Sequence, residues 1–322
     1  MYKIKQIPED FRVTEKPNIE FKENGRYAII EVEKKGYTTH KIAAMLCDML
    51  RIPQKNVTYA GNKDKFAITK QLFSIKNASK DKIEKIKIPD IDIKLLGYSD
   101  LPISLGDLDG NYFELVIRDI DKKPKYKDEV YNFYGEQRFS QNNIEIGKLL
   151  IKGDFKKACE IIISQNSDQS DMILNFLEDH KRQYVDAIKR IQFKIVMLYV
   201  HSYQSYLWNK TLNECIEKNI DVDEIPIIGF ETLKSEKTSD IIKKIMDEEK
   251  ISQRDFIIRE MPTLSAEGGL RKAKIKVHDL EISELEDDEL NQGKKKVTIK
   301  FFLEKGSYAT EAIRQLFNQD NR

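Results

Sequence analysis

Little in this chain serves metal or disulfide chemistry. The three cysteines, Cys47, Cys159 and Cys215, lie far apart, and the four histidines show neither CxxC nor HxxxH spacing for a zinc site. No run of about 18 apolar residues is present to span a bilayer. The stretch "MYKIKQIPEDF" is charged where a signal peptide is apolar, so the expected compartment is the cytoplasm, away from membranes. A charge excess is missing as well: 55 Lys and Arg stand against 54 Asp and Glu, a formal net charge of +1. Global charge announces no polyanion ligand, and any nucleic-acid surface must come from local segregation.

Signature loops are absent too. "GNKDK" has a superficial likeness to a guanine-reading Asn-Lys-x-Asp signature, but its acid falls one position early and no G-x-x-x-x-G-K-[ST] loop accompanies it. No nucleophile elbow occurs, and no Gly-x-Gly-x-x-Gly follows a strand, which removes hydrolase and dinucleotide readings. No fixed-period repeat and no low-complexity tract occurs beyond short charge runs. Metal-free acid chemistry or binding remains.

With 322 residues, 40% of them hydrophobic and 34% charged, the chain can bury a core and form two domains. "RYAIIEVEK" (Arg26 to Lys34) predicts a strand, and "TTHKIAAMLCDMLR" a helix with Ile42, Met45, Leu46, Met49 and Leu50 on one face. "NVTYAG" and "KQLFSIK" predict strands bracketing the "NKDK" turn. "NYFELVIRDI" alternates, with Phe113, Leu115 and Ile117 on one face, and Val297, Ile299, Phe301 and Leu303 do the same before Gly306 and Ser307 break the strand. Thr310 is the expected N-cap of a closing helix. The middle of the chain has helical periodicity without comparable strands, which predicts a helix-rich insertion with boundaries near 140 and 270. Basic "RKAKIKVH" (Arg271 to His278) and "GKKKVTIK" (Gly293 to Lys300) flank acidic "DLEISELEDDEL" (Asp279 to Leu290), a hairpin that is either solvated mixed charge or a phosphate-facing surface.

Six segments occur in a telling order: "KIKQIPEDFRVTE", "YAGNKDKFAITKQLFS", "GNYFELVIR", "NFYGEQRFS", "SYQSYLWN" and "EKGSYATEAIRQL". They resemble the motifs of the TruD family of pseudouridine synthases over nearly the whole chain, and the archaeal and eukaryotic branch fits better than the bacterial one. The resemblance implies an α+β fold: a catalytic domain whose mixed, largely antiparallel sheet is flanked by helices, split by an inserted helix-rich TRUD domain. Residues 1–140 and 270–322 would form the catalytic domain and 141–269 the insertion, with a motif-level start near 130. It further implies a tRNA pseudouridine synthase acting on uridine 13, with tRNA as partner and neither cofactor nor metal; a monomer is the separate expectation for its assembly. A non-catalytic RNA-binding protein or chaperone keeping the same fold, and a glycosidase that cleaves without rejoining, stay open as alternatives.

Carried over by motif, Asp64 is the catalytic aspartate, engaging the nucleotide by attack at C1′ or C6 or by removing the C2′ proton. Desolvation would disfavour its charged form unless a cation opposes it, and Lys5 and Lys63 are the candidates. Lys5 matches the family lysine near the acid, whereas Lys63, next in sequence, would point the other way on an extended chain and suits either pairing or a phosphate. Asn111 and Phe113 share a strand face, the first able to hydrogen-bond near the acid and the second to stack on a base. Arg138 suits a fork onto a phosphate or onto a carboxylate such as Glu136 or Glu9. Asn62 and Phe66 depart from the residues the family often has there.

Overall fold

Alternating strands build the central sheet of the computed structural model, which describes residues 2–139 and 142–318. Among those residues nine strands form it: β1 (Phe11–Pro17), β2 (Tyr27–Lys35), β3 (Val57–Tyr59), β4 (Ile68–Lys76), β5 (Ile91–Ser99), β6 (Leu108–Ile120), β7 (His278–Ile282), β8 (Glu286–Asp287) and β9 (Lys295–Glu304). Their order is β7-β9-β6-β1-β4-β2-β5, with β3 beside β4 and β8 beside β9. Strands β1 and β4 run parallel and the other neighbours antiparallel, so the sheet is mixed and largely antiparallel, as expected. Directly opposed residues share a face, and one row crosses five strands: Lys34, Thr69, Val13, Phe113 and Phe301.

Helices Thr39–Leu50 and Ala309–Leu316 pack on the sheet by burying one stripe each. Helix Thr39–Leu50 is capped by the Thr38 hydroxyl, which accepts from the Lys41 N–H, and it buries Ile42 and Leu46 in a cluster with Ile30, Val32 and Phe73. Met49, expected on that stripe, is 46% exposed. The closing helix, Ala309–Leu316, buries Ala312, Ile313 and Leu316 with Ile117 and Ile299. It starts earlier than the Thr310 cap expected from sequence. The N–H groups of Glu311 and Ala312 both donate to the Tyr308 carbonyl, so Thr310 already lies inside the first turn.

Buried Arg118 ties three distant parts of the chain together. Its Nε donates to Asp10 at 2.9 Å, its Nη1 to Asp288 at 2.9 Å, and its Nη2 lies 3.1 Å from Glu289. Burial pushes the Asp288 carboxyl up, but the N–H of Asp119, the Asn291 side chain, the N–H of Leu290 and Arg118 together bring it down to about 2. The "PED" segment is pinned by this hub, which fixes the chain just after Lys5.

The lysines of the second basic run pair with carboxylates, two of them within the acidic run. Lys295 pairs with Asp287 at 2.6 Å, Lys296 with Glu289 at 2.7 Å and Lys294 with Asp121 at 2.9 Å. Of the two readings of the hairpin, these pairs match solvated mixed charge. Arg271 and Lys272 belong instead to a separate strand, Gly269–Lys272, paired with Glu224–Ile227.

The chain divides into two compact units, Met1–Val130 with Ile275–Arg322, and Tyr131–Lys274. Ser140 of "NFYGEQRFS" and the expected 140/141 boundary lie outside the described residues. The second unit is helical, around the 25-residue helix Phe193–Glu217, which buries Tyr203, Leu207 and Trp208. Gly147 on helix Asn143–Ile151 permits close helix approach, since a Cβ there would come within 2.1 Å of the Tyr199 carbonyl oxygen. Among the described residues no helix is long and apolar enough to cross a membrane.

Candidate active site

The turn from Gly61 to Ala67, between β3 and β4, is held from several sides. The Gln71 side chain donates to the Gly61 carbonyl at 3.1 Å, and the Lys63 N–H donates to the Thr39 hydroxyl at 2.8 Å. Thr39 in turn donates to Gln71 at 2.8 Å, which locks helix and strand to the turn together. Lys34 Nζ donates to the Asp64 carbonyl at 3.1 Å and to the Tyr37 carbonyl at 2.6 Å. Ala67 is fully buried and anchors the exit.

From this pinned backbone the Asp64 side chain projects, 43% exposed, with Oδ2 paired to Lys5 Nζ. Lys5 has a left-handed backbone (φ 58°), uncommon for a residue with a side chain, and its ammonium lies 3.9 Å from the centre of the Phe11 ring. Phe11 in turn meets Phe113 edge-on at 6.2 Å. An unbroken series of side chains therefore leads from the acid into the core of the sheet.

Lys63 turns the opposite way. Its side chain is 8% exposed, with Nζ 3.0 Å from Glu15 Oε2 and donating to Asn111 Oδ1 at 2.6 Å. Glu15 and Asn111 are directly opposed on β1 and β6, so register brings them to one cation. The glycine before Asn111 matters as well: a Cβ on Gly110 would meet the Leu303 carbonyl oxygen at 2.1 Å. Phe113 is packed in the core at 9% exposure, stacked on Phe301 at 5.3 Å.

Arg138 belongs to the second unit. Its guanidinium lies 6.0 Å from the Tyr134 ring, its carbonyl accepts from Ser202 at 2.8 Å, and among the described residues no carboxylate pairs with it. Glu9, one expected partner, pairs with Lys35 instead, and Glu136 is not engaged by it. Burial, reinforced by the Arg138 charge, pushes the neighbouring His201 imidazole down. The "SYQSYLWN" motif is scaffolding in this unit: Asn209 exchanges two hydrogen bonds with the Tyr134 backbone and Trp208 donates to the Ile225 carbonyl.

Sequence reasoning missed Lys34, Glu15 and Phe11. Lys34 is 1% exposed. Burial holds its amine down to about 8, the Asp64 charge opposing that shift and the Lys63 charge adding to it. The signal was alternation: Lys34 continues the buried series of Ala28, Ile30 and Val32, and Glu15 continues that of Phe11 and Val13. On the other face of the sheet a cavity of about 370 Å³ is lined by Arg12, Thr14, Lys70, Tyr112, Glu114 and Lys300, where Lys70 pairs with Glu33 at 3.2 Å and Lys300 with Glu114 at 3.8 Å.

What this arrangement offers chemically is one open carboxylate, aimed by one ammonium, beside an apolar floor and a buried polar cluster. Comparison with known proteins bears on its use. The profile of the family tRNA pseudouridine synthase D (TruD) matches residues 2–173, 167–226 and 223–316. The tRNA pseudouridine synthase D of Aquifex aeolicus is 29% identical, the match covering 99% of this chain and 98% of that protein. The crystal structure of the TruD protein from Methanosarcina mazei is similar with a TM-score of 0.77 at 27% identity, over 98% of this chain and 93% of that one.

Proposed function

The chain belongs to the TruD family of tRNA pseudouridine synthases, and from that premise we propose that it converts uridine 13 of folded tRNA to pseudouridine with Asp64 as the reacting acid. The reaction is an isomerisation. The bond from ribose C1′ to N1 breaks, the base turns, and a bond from C1′ to C5 forms, while C5 gives up a proton and N1 ends with one. Asp64 takes part by attack at C1′ or C6 or by removing the C2′ proton. The observation that carries this reading is the Lys5–Asp64 pair: Lys5 holds Oδ2, and Oδ1 has no partner among the described residues on a side chain 43% exposed.

The other residues take supporting parts. With Oδ1 of Asn111 engaged by Lys63, its amide nitrogen is the group left to hydrogen-bond the nucleotide. Phe113 forms the apolar floor, and Arg138 meets an RNA phosphate. Extruding a stacked uridine costs about a few kcal/mol, which base stacking and edge hydrogen bonds in the site offset.

Asp64→Ala is expected to abolish pseudouridine formation while leaving tRNA binding within about tenfold. Full turnover in that variant would sink the assignment. Pseudouridine appearing in tRNA incubated with the pure protein separates an enzyme from a binding protein, and released uracil would mark a glycosidase instead. Mapping modified positions in tRNA from a deletion strain tests uridine 13.

A further inference from the structure

The turn that presents Asp64 also presents a ring that the proposed chemistry leaves unused. Phe66, two residues on, is 50% exposed, and among the described residues its ring stacks on no other ring or cation. Looseness of the segment does not account for this. The backbone is bonded at Gly61, Lys63 and Asp64, and Ala67, the next residue, is fully buried. A phenylalanine held half in water forgoes much of the stabilisation its burial would bring, and its ring is left open to an apolar surface that arrives from outside the chain.

Geometry limits which surface that is. Two residues of chain span at most about 7 Å even when fully extended, so the Phe66 backbone stands on the same short turn as that of Asp64. A nucleotide drawn from a stack leaves a gap between its two neighbours, and apolar side chains fill such gaps in proteins that distort nucleic acids. Every base offers a π-face, so the ring needs no particular sequence beside the target.

We propose that Phe66 is the wedge of this enzyme, stacking on the base next to the target and occupying the gap left by the extruded uridine. The proposal rests on Asp64 being the reacting acid. It makes Phe66 a positioning residue for folded RNA, acting on extrusion rather than on bond making.

The test is single-turnover pseudouridine formation on a tRNA transcript by Phe66→Ala, Phe66→Trp and Asp64→Ala. A second transcript carries a mismatch that unstacks the target uridine. Phe66→Ala is expected to slow the folded transcript about tenfold or more, consistent with the loss of one base–aromatic stack. It should change tRNA affinity by less than about threefold, lose most of its defect on the mismatched transcript, and leave thermal unfolding unchanged. Phe66→Trp is expected to keep the wild-type rate. A normal rate for Phe66→Ala, or an equal loss on both transcripts, overturns the wedge. Activity retained by Asp64→Ala overturns the reading beneath it, a separate result.

Discussion

Lys63 and Asp64 are consecutive residues, and each joins a lysine–carboxylate pair, but the two pairs differ in solvent. Lys63 meets Glu15 and Asn111 with side chains 8% and 1% exposed for the two ions, whereas Asp64 meets Lys5 at 43% and 24%. A buried ion pair has lost its hydration and must keep its partner, so it acts as a clamp. An open pair holds its partner loosely, so a substrate can compete for the acid. One turn thus contains both the fastening and the proposed reagent, sorted by the opposite directions of neighbouring side chains.

Removing one ion from each pair breaks the comparison most directly. Lys63→Met leaves Glu15 buried without its cation, and the expected loss is about 3–5 kcal/mol of unfolding free energy in urea. Adding Glu15→Gln should restore much of it, because no charge is then left uncompensated. A loss below about 1 kcal/mol for Lys63→Met would put this pair in the surface class and erase the contrast.

Lys5→Met probes the open pair and should give the reverse profile. Stability is expected to change by less than about 1 kcal/mol, as for exposed ion pairs. Turnover on tRNA should fall about tenfold to hundredfold, since the carboxylate loses the group that aims it. Equal effects on stability and turnover would mean that Lys5 holds the N-terminal segment rather than the acid.

How much of this was legible beforehand depended on the reach of each contact. Strand β6 reads plainly from its letters because alternation follows from having one face buried, and Asp64 falls on a turn because polar residues and a glycine separate two β-rich runs. The clamp was not legible as a clamp. Lys63 and Asn111 stand out singly in the sequence, but Glu15 joins them only through the β1–β6 register. Arg118 reaches partners 108 and 170 residues away, which no local pattern encodes. Lys34 at the end of an alternating strand reads as a solvated terminus until a turn 30 residues on brings a carbonyl to its amine.

Lys34 sharpens the comparison by the smallest effect, because it is a buried cation with no carboxylate at its head among the described residues. Its amine bonds two carbonyls, and burial holds it down to about 8 against an unperturbed 10.5. The unfolded chain therefore keeps a proton that the folded chain has released between those values. For such a group the unfolding free energy rises with pH across that window and is independent of pH below it. The difference between wild type and Lys34→Met isolates this contribution from the lysines and tyrosines remote from it that titrate in the same range. The stability of wild type minus that of Lys34→Met should be flat from pH 6 to 7.5 and climb by about 1 kcal/mol between pH 8 and 9. Paired urea titrations across that range check it, and a difference that stays level through pH 9 would mean that the amine keeps its proton inside the fold.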